Sequence, residues 1–395
     1  MRSPLRFALA GMAVLALALG IGRFAFTPLL PLMQADAGLG LTAGGWLASI
    51  NNIGYLLGAM LCTVLVLPQR TALRTGMLLV ALATGGMGFT TSLPLWLLFR
   101  FVGGLGAALL VVHGIAWCVA RLPVQKRAGL ESLLYSGPGI GIAVTGTLVA
   151  ALRGPLLDSA RWWIVFGALG AFLVAMVWRV IDAPFHTDVV PVSAKIATPR
   201  AAVWPVAVIW GLLGFSYIIP AIFLPLIADS QLHAPALREW FWPLYGVAAV
   251  FATWLLGTLP PVRSNYAGLA GCCFAQLAGI LLCLHQPRLG SLLSGAVLLG
   301  AMTMPSVMYA MREANRIAGR NPTRVIGILT ISFGVGQITG PVVAATLATH
   351  HHGFTVPLEL AALATVVALL VSLAFVRRES APVLRKTVHC RAGDG

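Results

Sequence analysis

Gly20 to Met33 reads GIGRFAFTPLLPLM, and the charge inside it, Arg23, decides how the chain folds. The stretch belongs to an apolar run from Leu5 to Met33, with ten residues still to come after Arg23. At a helical rise of about 1.5 Å per residue, Arg23 lies roughly 15 Å from the far end of that run, near the middle of a bilayer. A guanidinium there costs about 2.5–3.5 kcal/mol on insertion scales, so it persists where it faces protein, water or a ligand. The residues therefore predict a chain that surrounds a polar path through a membrane.

The rest of the sequence agrees. Of 395 residues, 59% are hydrophobic and 9% charged, too little charge to cover a soluble surface. Apolar runs long enough to span a bilayer recur from end to end, without the short alternating segments of a β-barrel. The net charge of +15 does not point to nucleic acid, because Lys and Arg are spread over short loops. Five of the six cysteines, Cys62, Cys118, Cys272, Cys273 and Cys283, lie in apolar runs and read as small hydrophobes, and Cys390 stands apart. Arg2 and Arg6 before an apolar run imitate a signal peptide, but the run is too long and more spans follow, so it reads as an uncleaved first helix.

The runs predict twelve transmembrane helices: Leu5–Met33, Gly44–Leu67, Leu73–Thr91, Leu95–Val119, Gly129–Leu152, Trp162–Val180, Val203–Ala228, Trp240–Leu259, Tyr266–Leu284, Leu289–Met311, Thr323–Thr349 and Phe354–Val376. With both termini cytoplasmic, inner loops and tails hold 20 basic residues, and outer loops hold only Arg153, Arg161, Arg238 and Arg288. That asymmetry fixes the expected orientation. The expected organisation is a six-helix bundle over 1–181, a cytoplasmic connection over 182–201, a second bundle over 202–378 and a cytoplasmic tail over 379–395.

The halves echo each other. GIGRFAFTPLLPLM aligns without gaps on GFSYIIPAIFLPLI, Gly214–Ile227, at an offset of 194. Gly137–Leu152 echoes Phe333–Leu347 with a one-residue slip. Two six-helix repeats with a site between them are the plan of a secondary transporter. The predicted fold class is an all-α polytopic membrane protein of twelve helices in two pseudo-symmetric bundles.

Over its whole length the chain resembles the major facilitator superfamily. Within it, GRFAFTPLLPLM and WLASINNIGYLLGA resemble the bacterial YbfB/YjiJ-like group. Arg100 with Gly103, Gly104 and Gly106 resembles the superfamily's fourth-helix motif, whose Arg is linked to proton transfer. Gly137, Pro138, Gly139 and Gly141 resemble the fifth-helix motif of proton-driven antiporters. The loop motif G-x-x-x-D-R-x-G-R-R is degraded to LPQRTALRTG: Arg70, Arg74 and Gly76 stand for its basic part and the Asp is missing, which puts the usual charge latch in doubt.

The residues themselves nominate a site. Arg23 reads as a contact for an anionic group or a fixed charge tuning a proton site, against a structural Arg satisfied by carbonyls, and Thr27 shares its face. Arg100, six residues past Pro94, is shallow enough to snorkel outward. None of the acidic residues falls in mid-span, and Glu131, nearest to one, reads as paired with Lys126 or Arg127. His113 is then the one imidazole well inside a span, as proton carrier or packing group, with Trp117 one turn on. Asn51, Asn52, Tyr55, Tyr135, Ser216, Tyr217, Tyr245, Gln276, Thr303, Tyr309 and Gln337 are the other polar or aromatic groups within spans, many of them expected to bond between helices. The resemblance implies a cavity lined by the first, fourth, seventh and tenth helices, which selects Thr27, Tyr217, Thr303 and Tyr309, with Met302, Met304 and Met308 as an adaptable wall. Gly137, Gly139, Gly141 and Gly340 permit close helix approach, and Pro138 and Pro341 predict bends of use in alternating access.

The expected function is proton-coupled export of a small organic solute, acting as a monomer in a bacterial cytoplasmic (inner) membrane, with uptake of an organic anion as the rival. No cofactor, metal site or Walker loop is read, and His350, His351 and His352 read as a solvated outer loop. A lipid-modifying enzyme would need a polar catalytic cluster at a membrane face, which the sequence lacks. A channel is the remaining alternative class.

Overall fold

The computed structural model describes residues 4–65, 67–122, 127–152, 158–182, 200–231, 240–258, 264–285, 288–318 and 322–380. These residues form twelve helical segments. They are α1 (Pro4–Ala37), α2 (Leu41–Val64), α3 (Gln69–Phe89), α4 (Leu93–Val119), α5 (two pieces, Arg127–Tyr135 and Gly137–Ala151) and α6 (Ser159–Ile181). After them come α7 (Arg200–Gln231), α8 (Phe241–Thr258), α9 (Asn265–His285), α10 (Leu289–Ala318), α11 (Pro322–His350) and α12 (Thr355–Ser380). Ten are long and apolar enough to cross a membrane. The other two are α2, which carries Asn51 and Asn52, and α8, whose apolar part Phe241–Leu256 is shorter. Most of the expected connection between the bundles (182–201) and most of the tail (379–395) lie outside the described residues.

Local chemistry explains several ends. Gly38 takes φ +65°, the left-handed conformation that closes α1. Pro94 opens α4, where its missing N–H costs nothing. Asp158 caps α6 by accepting from the Arg161 N–H at 2.8 Å. Asp36, at the end of α1, accepts from the Ser159 backbone N–H (2.5 Å) and hydroxyl (2.8 Å), fastening α1 to α6.

Pairing within each half follows one scheme. In the first six helices α2 packs on α4, α3 on α4 and α6, and α1 on α5; in the last six α8 packs on α10, α9 on α10 and α12, and α7 on α11. Each pair recurs six helices later. Across the halves α2 meets α11 and α5 meets α8, which are images of each other under the same operation, and α1 meets α7. Two pseudo-symmetric six-helix bundles result, related by an axis between α1 and α7.

While the first piece of α5 keeps α8 in contact toward the termini, the bundles are joined most extensively over the half of the molecule remote from them. There Ser49 donates to the Ile338 carbonyl (2.7 Å), Asn52 to the Gln337 carbonyl (2.6 Å) and Thr27 to the Ala221 carbonyl (2.9 Å). Glycines set the spacing. A methyl group at Gly45 would stand 2.8 Å from the Pro341 carbonyl oxygen, and one at Gly139 would stand 2.9 Å from that of Gly246. The apolar core follows the same division. One cluster runs through the first bundle and into the remote half of the second, through Ile218, Phe223, Trp242 and Leu358. The half of the second bundle nearer the termini has its own cluster, around Trp210, Tyr266, Tyr309 and Leu329.

α5 is interrupted at Ser136, two residues before Pro138, and α11 is helical on both sides of Pro341. Arg74 at the degraded loop does find a carboxylate: Asp182 at the end of α6 accepts from it at 2.5 Å, and its guanidinium lies 4.5 Å from the Trp178 ring centre. An acid from another helix stands where the motif's own Asp is missing.

Candidate functional site

Among the described residues, α1 is interrupted around Arg23. α1 widens into a π-helical stretch over Ala16–Ile21, turns through Gly22–Ala25, and resumes at Phe26. The Gly22 and Phe24 N–H groups reach back five residues to the Leu17 (2.8 Å) and Leu19 (3.0 Å) carbonyls. Pro28 is the local cause. It has no N–H for the Phe24 carbonyl and its ring clashes there, so the Thr27 N–H bonds Phe24 three residues back, at 3.2 Å. The Thr27 N–H is thereby withdrawn from the Arg23 carbonyl, and the Gly22 carbonyl in the same turn is likewise open to another donor.

Arg100 supplies the donors. Its guanidinium donates to the Gly22 carbonyl (3.0 Å), to that of Arg23 (3.3 Å from each terminal nitrogen) and, through Nε, to that of Leu47 (3.2 Å). It is buried, with the Phe26 ring 4.9 Å away. The outward snorkel open to it by depth is not taken, because the break in α1 leaves carbonyls that its planar fork of donors reaches together. Asn51 braces the site by donating to the Arg100 carbonyl at 2.8 Å.

Arg23 is different. It is 7% exposed, and its Nη2 is buried with no hydrogen-bond partner. The guanidinium lies 5.3 Å from the Phe24 ring centre and 5.7 Å from that of Tyr55. The hydroxyls of Tyr55 and, across the seam, Tyr217 lie within its field. Tyr217 accepts from the Gln337 amide nitrogen at 2.6 Å, and Asn52 Oδ1 is buried without a partner. The sequence offset pairs Arg23 with Tyr217 and Thr27 with Ala221. Since Thr27 bonds its own counterpart, the pseudo-axis passes through this site.

Of the expected site residues, Arg23, Thr27, Arg100 and Tyr217 come together here. Thr303 forms a neighbouring station, bonding Tyr245 at 2.6 Å beneath Trp242. His113 is half-buried, 13 residues or about 20 Å along α4 from Arg100, with Nε2 buried and unpartnered. Trp117 meets Phe7 and Arg121. Tyr309 packs in the second core cluster, beneath Arg312, and does not join Arg23. Gly137, Gly141 and Gly340 serve crossings inside a bundle, against Met12, Ala16 and Phe215, whereas Gly139 and Pro341 sit at the seam. Sequence reasoning missed Glu313. It is fully buried in α10 and accepts from Arg316 (2.6 and 2.8 Å) and Asn265 (3.0 Å), because α10 continues past the end of its apolar run.

Twelve helices in paired bundles around a polar seam define a membrane transporter. The chain belongs to the family described as "Uncharacterised MFS-type transporter YbfB", whose pattern matches residues 15–373. It is 25% identical to a chloramphenicol resistance protein of Streptomyces lividans over 382 residues, covering 92% of this chain and 95% of that one. It is 24% identical to the MFS-type transporter YcaD of Salmonella typhi over 356 residues, 87% of this chain and 88% of that one. Among solved structures its fold is similar to a variant of the nucleoside transporter NupG (TM-score 0.72, 12% identity, 94% of this chain and 99% of that one). It is also similar to a bacterial homologue of the human lysosomal transporter Spinster, inward-facing and unoccupied (TM-score 0.68, 14% identity, 95% of this chain and 96% of that one).

Proposed function

We propose that the chain is a secondary transporter moving a small organic solute by alternating access around Arg23. It works as a monomer in a bacterial cytoplasmic membrane, with both termini cytoplasmic. The observation that carries this reading is the divided core: the apolar cluster of the first bundle continues into the second on the side remote from the termini, and the second bundle keeps a separate cluster near them. A seam sealed at one end gives access from the other. Placing the termini in the cytoplasm follows the excess of Lys and Arg on their side, and makes this the inward-facing state.

Proton-coupled export is the preferred direction. It is favoured by the motif at Gly137–Gly141 and by the drug-resistance name of one relative. His113 is the candidate proton carrier, and the absence of mid-span carboxylates leaves it that role. Uptake of an organic anion is the second reading, favoured by the free charge on Arg23.

Counterflow in proteoliposomes tests the transporter class. Vesicles are loaded in turn with chloramphenicol, benzoate and phenylacetate, and tracer entry is followed. Saturable overshoot for one of them is the expected result. Unsaturated ohmic current in place of exchange would make the protein a pore. An imposed pH gradient that fails to drive the exchanged solute would remove the proton from the scheme.

A further inference from the structure

We infer that the site at the break of α1 binds the carboxylate of an aromatic monoacid, with Arg23 as its charge partner. The inference rests on the transporter reading, specifies its solute class and holds for either direction.

The charge balance comes first. Two guanidinium groups lie in the core of the first bundle. Arg100 has its nitrogens committed to the Gly22, Arg23 and Leu47 carbonyls. Arg23 keeps a buried nitrogen with no acceptor. Four carboxylates are engaged elsewhere: Asp36 with Ser159, Asp158 with the Arg161 N–H, Asp182 with Arg74 and Glu313 with Arg316; Asp229 and Glu379 belong to the last turns of α7 and α12. Glu131, by its position in α5, belongs to the end of that helix nearer the termini, and Glu359 to the first turns of α12. An unpaired buried cation is costly, and a planar carboxylate is the group whose geometry matches its fork. A cation would be repelled and a neutral solute would leave the charge uncompensated. The second carboxylate of a diacid would find no other guanidinium with a donor to spare, because the nitrogens of Arg100 are bonded to carbonyls.

The surroundings specify the body of the solute. Two aromatic runs approach Arg23, one wholly within the second bundle and one crossing the seam from Phe24 of the first bundle to α8 of the second. Trp210, Phe333 and Tyr217 stack in sequence (4.2 and 5.7 Å between centres). Phe24, Trp242 and Tyr245 form the other run (5.8 and 4.9 Å). Tyr55 and Tyr217 are partly exposed beside the buried guanidinium, so aromatic side chains border the space an entering group would fill. The second piece of α1 begins at Phe26 with no side-chain cap, so its positive end adds to the same field.

Arginine mapping on the intact protein tests this without a mutation. Purified protein is treated with phenylglyoxal, digested and mapped by mass spectrometry, alone and with benzoate, benzamide or benzylammonium. The expected result is modification at Arg23 and not at Arg100, suppressed at least tenfold by benzoate and little by the other two. Equal protection by benzamide, or an unmodified Arg23 beside reactive surface arginines, would overturn the proposal. A second arm uses Arg23→Gln and Arg23→Lys: benzoate should raise the thermal midpoint of the wild type, partly that of the Lys variant, and not that of Gln. Counterflow of chloramphenicol with no benzoate effect in either arm would sink the acid and leave the transporter standing.

Discussion

At the scale of single residues, two arginines 77 positions apart do opposite work. Arg100 is a structural clasp. Replacing it with Met removes the donors to the Gly22 and Arg23 carbonyls of the turn, at about 1–3 kcal/mol for each buried acceptor. The expected outcome is a lower thermal midpoint in detergent and lower yield, with Arg100→Lys recovering part of the loss, read by fluorescence-detected size exclusion after heating. Arg23 makes no such bond from Nη2, so Arg23→Gln should leave the midpoint unchanged or raise it, as expected for removing an uncompensated buried charge. If both variants fell equally, the division of labour would be wrong. Arg23 was legible in the sequence because the cost of a mid-membrane charge depends on depth alone. The role of Arg100 was not, because its partners are backbone carbonyls that any sequence supplies. The available signal was Pro28, which cannot donate to the Phe24 carbonyl, so that the Thr27 N–H turns to it and leaves the Arg23 carbonyl for Arg100.

At the scale of elements, glycines set how closely helices cross, and the two bundles use them in register. Gly104 on α4 lies against the Asn51 carbonyl of α2, and Gly300 on α10 lies against the Tyr245 carbonyl of α8. Asn51 and Tyr245 are themselves 194 positions apart, the offset of the sequence repeat. A side chain at either glycine meets rigid backbone, so Gly104→Ala and Gly300→Ala should each cost about 1–3 kcal/mol by overpacking. Gly129 has open space around it, and Ala there should gain up to about 1 kcal/mol from helix propensity. Thermal midpoints of the three variants separate packing glycines from tolerated ones. Helix number and the repeat were readable because run length and spacing are local. The break in α1 and the burial of Glu313 were not, since one depends on a wide turn tolerated by packing and the other on α10 extending beyond its apolar run.

At the scale of the whole molecule, the pseudo-axis makes the two ends of the seam alternatives. Contacts that close one end, α2 on α11 and α5 on α8, exchange with each other under the symmetry, so rocking about the α1–α7 contact can open them together. A crosslink across the closed end should therefore hold the molecule in the observed state. Thr42 and Thr349 face each other there, hydroxyl oxygens 3.5 Å apart. In a background with Cys62, Cys118, Cys272, Cys273, Cys283 and Cys390 replaced by Ala, Thr42→Cys with Thr349→Cys should oxidise readily to one disulfide. Counterflow of any exchanged solute should then stop and return on reduction. Benzoate protection of Arg23 from phenylglyoxal should survive the crosslink, because the site would still open toward the termini. Full transport with the disulfide in place would rule out opening of this end as a step of the cycle.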